Sequence, residues 1–172
     1  MLVRPAAAQD LPAIQSIYAY HVLHGLASFE EVAPPLEEMR RRYEDVTGSG
    51  LPYLVAEEKG EVLGYGYCTL YRTRSAYRYT LEDSIYVKEG NQRKGIGKAL
   101  LAQLIERCTA LKYRQIIAVI GDSANAGSIA VHASLGFVRA GNLRSTGYKF
   151  GRWVDSILMQ LPLGEGDGSK PS

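Results

Sequence analysis

Cysteine is scarce in this chain, with two residues, Cys68 and Cys108, in 172. The first falls in a strand-like pattern and the second on the apolar side of a helical one, so they read as buried thiols and not as a disulfide or a metal pair. Histidine is almost as sparse, and His21, His24 and His132 lack the spacing of a zinc site. Charge of one sign is missing too. Twenty Lys and Arg stand against 18 Asp and Glu, for a net charge of +2, which argues against a dedicated nucleic-acid binder. No apolar run approaches the about 20 residues that a membrane span requires. Met1 to Pro5 passes straight into a strand-like pattern, so no signal peptide is expected, and no internal repeat is visible. The expectation is a soluble, cytoplasmic protein without metal, membrane or nucleic-acid partner.

What is present is enough apolar material, 46% of the residues, for one well-buried domain over residues 1–163. Leu2 to Arg4 reads as a strand. Asp10 reads as the N-cap of a helix that carries Leu11, Ile14, Ile17, Tyr18 and His21 on one face. His24 to Pro35 reads as loop, and Leu36, Met39, Tyr43 and Val46 mark a second helix whose Arg40-Arg41-Arg42 run is taken as a solvated face. Residues 53–57 and 62–71 form a hairpin, and a further strand spans 79–87. A helix to about Leu111, a strand over 115–120, a helix over 125–135 and strands over 137–143 and 153–161 complete the order βααβββαβαββ. Mixed strands with helices on both faces imply an α/β sheet with one cleft. The polar, Gly- and Ser-rich residues 164–172 are expected to be a disordered tail.

The most informative stretch is Gln92-Arg93-Lys94-Gly95-Ile96-Gly97, between the strand-like Ser84 to Val87 and the helical pattern of Ala99, Leu100, Leu104, Ile105 and Cys108. Strand, glycine loop and helix together make an anion site. The first helical N–H groups lack partners, and the helix dipole adds roughly half a positive charge. Gly95 and Gly97 let a phosphate approach the backbone, while Arg93, Lys94 and Lys98 add formal charge. The loop is neither G-x-x-x-x-G-K-[ST] nor G-x-G-x-x-G. It resembles the Q/R-x-x-G-x-G/A signature of the GNAT acetyltransferases, which cradle the pyrophosphate of acetyl-coenzyme A. Asn125 to Phe137, an Asn and a short helix ending in Gly-Phe, resembles the second signature of that family.

The resemblance runs from about Val3 to Leu161 and narrows to the branch that acetylates phosphinothricin, methionine sulfoximine and methionine sulfone. Arg72 to Tyr77, Thr80 to Val87 and Gly147 to Asp155 carry it. Position 150 is Phe where the phosphinothricin enzymes have His, and Lys-Phe-Gly-Arg-Trp matches the sulfone and sulfoximine enzymes. That departure speaks against strict phosphinothricin specificity and leaves acetylation untouched. The resemblance implies a single mostly antiparallel sheet with helices on both faces, acetyl-coenzyme A as co-substrate, no metal, and a homodimer. It also implies that Ile85, Tyr86 and Val87 meet the acetyl-pantetheine arm, with a Val87 N–H as oxyanion donor.

Amide formation needs a neutral amine and hence a base. Glu82 is the candidate: alternation places it with Ser84 on one strand face and Asp83 with Ile85 on the other, and its Leu and Ile surroundings would raise its pKa. The plain alternative is a solvent-facing strand carboxylate. His132 stands where the branch places a general acid for the departing thiolate; the plain alternative is a structural histidine on an apolar helix face. Asn125 and Ser128 are read as ligands of the pantetheine or diphosphate-ribose end, Asn125 also as an N-cap, and Ser134 is grouped with them. Arg72 and Arg74, on one face of a strand end with Tyr77 behind, suit a carboxylate or phosphinate. Lys149 would add charge, and Phe29 and Trp153 would form walls. The same fold would equally serve another amine, such as a peptide N-terminus, a polyamine or an antibiotic, and a non-catalytic coenzyme A-binding domain would keep the glycine loop without needing Glu82.

Overall fold

The computed structural model describes residues 1–172. Its elements follow the expected order: β1 (Leu2–Pro5), α1 (Leu11–His24), α2 (Leu36–Gly48), β2 (Tyr53–Glu58), β3 (Glu61–Leu70), β4 (Thr80–Val87), α3 (Ile96–Ala110), β5 (Gln115–Gly121), α4 (Ala126–Ser134), β6 (Val138–Lys149) and β7 (Arg152–Pro162). One seven-stranded sheet runs β1-β2-β3-β4-β5-β7-β6. Every neighbouring pair is antiparallel except β4 and β5.

The β2–β3 turn shows how local chemistry sets register. Lys59 and Gly60 have φ of 52° and 81°, the paired left-handed geometry of a two-residue hairpin turn whose twist matches the strands it joins. In β3 the period of two then divides the faces of the sheet. Gly64 and Gly66 turn toward α3, where an added Cβ would come within 3.0 Å of Ile96 Cγ2 and 3.3 Å of Leu104 Cδ1 respectively. Tyr65 and Tyr67 turn the other way, into a stack with Tyr53 and Tyr86. Helix α3 thus lies close on one face, burying Ile96, Leu100, Leu101, Leu104 and Cys108, while α1 and α2 cover the tyrosine face. Cys68 and Cys108 are free and buried, as expected.

Four local expectations change. Asp10 stands at the N-terminus of α1, but its carboxylate does not cap that helix. It accepts instead from the Ala7 N–H and from both Nη of Arg4 at 2.8–2.9 Å, because a buried carboxylate is better satisfied by a guanidinium than by one helix N–H. Arg42 is half-buried and paired, not simply part of a solvated face: its guanidinium holds Glu30 at 2.8 and 2.9 Å. Strand β6 continues to Lys149, six residues past its expected end, because β7 supplies a ladder to pair with. Residues 164–170 turn back on Arg114, which donates to the carbonyls of Gly166 and Lys170 and to Ser169 Oγ; backbone carbonyls and not apolar area hold this segment.

Candidate active site

The parallel ladder between β4 and β5 stops early. Register pairs run from Thr80 opposite Gln115 to Asp83 opposite Ala118, after which the strands diverge. Strand β4 stays paired to β3 as far as Val87, so only its β5-facing edge is released. The direction of each group follows from alternation: Thr80 O and Lys88 N bond toward β3, so even-numbered positions face β3 and the N–H groups of Ile85 and Val87 point into the split. His21 donates from Nε2 to Val87 O at 2.8 Å. It thereby orients the peptide at the mouth of the split, a role the sequence did not single out.

The split holds a slot of ≈ 50 Å³, whose walls include Asp83 to Tyr86 of β4, Ala118 to Gly121 of β5, and Asn125, Ser128 and His132 of α4. A recess of ≈ 390 Å³ adjoins it, sharing Ala27, Gly121 and Asn125 and adding Phe150 and Arg152. A larger hollow of ≈ 870 Å³ lies elsewhere, between the ends of β1–β3 and α1. Its Arg4, Asp10, Glu57, Glu61 and Lys88 already pair among themselves, so volume alone does not locate the chemistry.

At the mouth of the split, beside Val87, Gly95 takes φ of 78° and α3 begins at Ile96. The first helical bond is donated by Ala99 to Gly95 O at 3.0 Å, leaving the N–H groups of Ile96, Gly97 and Lys98 without intrahelical partners. Gly97 has room: a Cβ there would lie 3.7 Å from its nearest neighbour, Val87 Cγ2. Internal packing therefore does not require glycine at this position, whereas close approach of a phosphate would. Gln92, Arg93, Lys94 and Lys98 are all exposed around it. This arrangement fits a pyrophosphate and the pantetheine arm of acetyl-coenzyme A. Asn125 Oδ1 accepts from Ser128 N at 3.2 Å, capping α4 at the slot wall. Ser134 is at the opposite end of α4, exposed, with its hydroxyl on Val131 O; it does not line the slot.

Glu82 sits on the tyrosine face, half-buried. Burial raises its pKa, Asp83 adds to the rise, and Arg72 opposes it. Arg72 and Tyr77 are therefore grouped with Glu82, Arg72 resting over the Tyr71 ring and Tyr77 against its edge. Arg72 and Arg74 both lie past the end of β3 at Leu70 and not on a strand, so they do not share a strand face. Arg74 is exposed and precedes the 3-10 turn of Ser75–Tyr77.

Lys149 does not present its charge to the cleft. It is 2% exposed, and its Nζ donates to Gly25 O at 2.9 Å and Ser28 O at 2.7 Å. Ammonium hydrogens are matched here to the carbonyls of the α1–α2 loop, which has no secondary structure to satisfy them. The same loop is held through Glu30 by Tyr18 and Arg42. Phe29 fits where glycines leave space: added Cβ atoms would stand 3.0 Å from its ring at Gly121 and 2.5 Å at Gly147. Trp153 is exposed, edge-on to Tyr148.

His132 is buried, with Nδ1 2.8 Å from Ser128 O and Nε2 2.9 Å from Asp83 Oδ2. Its pKa reflects burial, which lowers it, overridden by Asp83 and the Ser128 carbonyl, for a net rise. Asp83 was missed in the sequence. The available signal was alternation, which placed it opposite Glu82 and therefore toward the helical face.

An acetyltransferase (GNAT) domain family matches residues 3–158. A phosphinothricin N-acetyltransferase of Alcaligenes faecalis is 55% identical over 98% of this chain and 86% of its own length. An L-methionine sulfoximine/L-methionine sulfone acetyltransferase of Salmonella typhimurium is 39% identical over 96% of each chain. The crystal structure of a phosphinothricin acetyltransferase from Sinorhizobium meliloti in complex with acetyl-coenzyme A superposes with a TM-score of 0.96, at 50% identity over 99% of this chain and 92% of that one.

Proposed function

This chain belongs to the GNAT acetyltransferase family, and from that premise we propose that it transfers the acetyl group of acetyl-coenzyme A to the α-amino group of a small amino acid analogue. Phosphinothricin, methionine sulfoximine and methionine sulfone are the substrates to which the relatives' names point. The observation that carries this reading is the broken β4–β5 ladder, with a half-buried Glu82 beside it and the unpartnered N–H groups of α3 at its mouth.

The N–H groups of Ile96, Gly97 and Lys98, with Arg93 and Lys94 nearby, hold the pyrophosphate, and the slot receives the acetyl-pantetheine arm. Glu82 takes a proton from the substrate ammonium, a role its raised pKa suits. The neutral amine attacks the thioester carbonyl, and the Val87 N–H stabilises the oxyanion. His132 returns a proton to the leaving thiolate. Arg72 and Tyr77 meet the substrate's carboxylate or phosphinate. A guanidinium beside the base favours an anionic amino acid over a polyamine, which would call for acids there. The α1–α2 loop, with Phe29, is held by Lys149.

The reading includes a homodimer, supported by Tyr148, Phe150 and Trp153, which project from the β6–β7 hairpin at 56–64% exposure; sedimentation at micromolar concentration tests it. No helix is long and apolar enough to cross a membrane. A cytoplasmic enzyme, in which free thiols such as Cys68 and Cys108 persist, completes the reading, and herbicide resistance would follow from phosphinothricin acetylation.

The test is coenzyme A release with the three amino acid analogues beside a polyamine and a peptide. Glu82→Gln should lower kcat by about 10²–10⁴ with acetyl-coenzyme A affinity unchanged. Turnover of the polyamine alone would remove Arg72 from the substrate site, and binding without turnover would favour a coenzyme A-binding domain.

A further inference from the structure

Asp83 and His132 form an acid–base pair sealed in the wall of the slot, with side chains 2% and 5% exposed. We propose that Asp83 is a positioning residue: through its bond to Nε2 it keeps His132 doubly protonated and oriented, so that an imidazolium serves as the proton donor to the departing thiolate. The inference rests on the acetyl-transfer reading above.

Its basis is hydrogen accounting. The Ser128 carbonyl can only accept, so Nδ1 carries a hydrogen. A neutral ring with that hydrogen would turn the Nε2 lone pair on the Asp83 carboxylate, an unfavourable contact at 2.9 Å. A second ring hydrogen resolves it. Asp83 Oδ1 is buried with no hydrogen-bond partner, so nothing else bonded to the carboxylate offsets its charge, and an uncompensated buried carboxylate is costly.

The surroundings supply no competing counter-ion. Helix α4 packs on α3 and β5. Strand β5 has no ionisable side chain, and α3 contributes Lys98, Glu106, Arg107 and Cys108. None of these bonds to Asp83 or His132, whose sole ion-pair partners are each other. From β3, Cys68 stands opposite Asp83 in the ladder, its thiol held in the neutral form by a bond to Cys108 and by burial.

In the step itself the C–S bond breaks and its electron pair stays on sulfur. The Nε2–H bond to Asp83 Oδ2 must open as sulfur takes that hydrogen, which leaves a neutral ring still bonded through Nδ1 to Ser128. Water restores the proton before the next cycle. A thiol of ordinary pKa about 8.5 accepts from an imidazolium whose ordinary pKa is about 6.5.

The experiment pairs ¹⁵N NMR titration of His132 with the pH profile of coenzyme A release, in the wild type and in Asp83→Asn. The donor must be protonated, so kcat falls as pH rises through the His132 pKa. In the wild type the ring should titrate above 6.5. In the variant, where an amide N–H can bond a neutral Nε2, it should titrate lower, the alkaline limb of kcat should move with it, and kcat at pH 8 should drop at least about tenfold. An unchanged limb with a uniform loss of kcat would mean that Asp83 only packs. A wild-type His132 titrating below 6.5 would overturn the proposal without any variant. Failure of the acetyl-transfer reading is distinguishable: the wild type would then release no coenzyme A with any amine, ending the donor role, while the titration still reports the ion pair.

Discussion

On the acetyl-donor side of the proposed site the protein offers mainly backbone: unpaired N–H groups of α3, the released edge of β4, and a glycine that internal packing does not require. On the amine side it offers side chains gathered from distant segments. Glu82 comes from β4, Arg72 and Tyr77 from the loop after β3, and Phe29 from a loop that Lys149 holds from β6. The difference is one of locality. A backbone anion site is complete within a dozen residues and tolerates change in its side chains, whereas a side-chain site depends on several long-range packings at once. The proposed function places substrate choice on the second kind.

Breaking the long-range side should have the largest consequence for the fold. Lys149→Met removes two charge-assisted bonds and leaves two carbonyls unpaired, and should lower the urea unfolding free energy by about 2–4 kcal/mol. The amine KM should rise more than the acetyl-coenzyme A dissociation constant does; equal changes in both would show that the loop serves the two sides alike. Gly97→Val tests the other side. Its branches would crowd Val87, Ile85 and Val131, which already stand 3.7–4.0 Å from an added Cβ, and so shift the glycine loop, weakening acetyl-coenzyme A binding about tenfold, or about 1.4 kcal/mol, by calorimetry, with the amine KM held. A large fall in Tm would instead show that the glycine serves packing. The smallest effect is expected from Arg72→Gln. Arg72 opposes the raised pKa of Glu82, so its loss should move the ascending limb of kcat/KM to higher pH, and a shift to lower pH would separate the two residues.

The element order and the glycine loop were legible because periodicity, turn residues and loop chemistry act over a few positions. Lys59-Gly60 fixes its own turn, and Gly95 its own helix start. Arg42 and Lys149 were misplaced for the opposite reason. Nothing in Arg40-Arg41-Arg42 marks its third member as the partner of Glu30, and nothing around position 149 shows that Gly25 and Ser28 stand above it. Arg74 was read with Arg72 because alternation was assumed beyond the point where β3 ends at Leu70.

By itself, then, the sequence determined the strand and helix order, the glycine-marked start of α3 and the membership of Glu82 and Asp83 on opposite faces of one strand, because each depends on local backbone geometry. Only the tertiary structure decided that β4 and β5 part after Asp83, that Asp83 meets His132, and that Lys149 holds the loop instead of the substrate. Those outcomes turn on which buried polar groups find partners across the fold, and burial is a property of the whole chain.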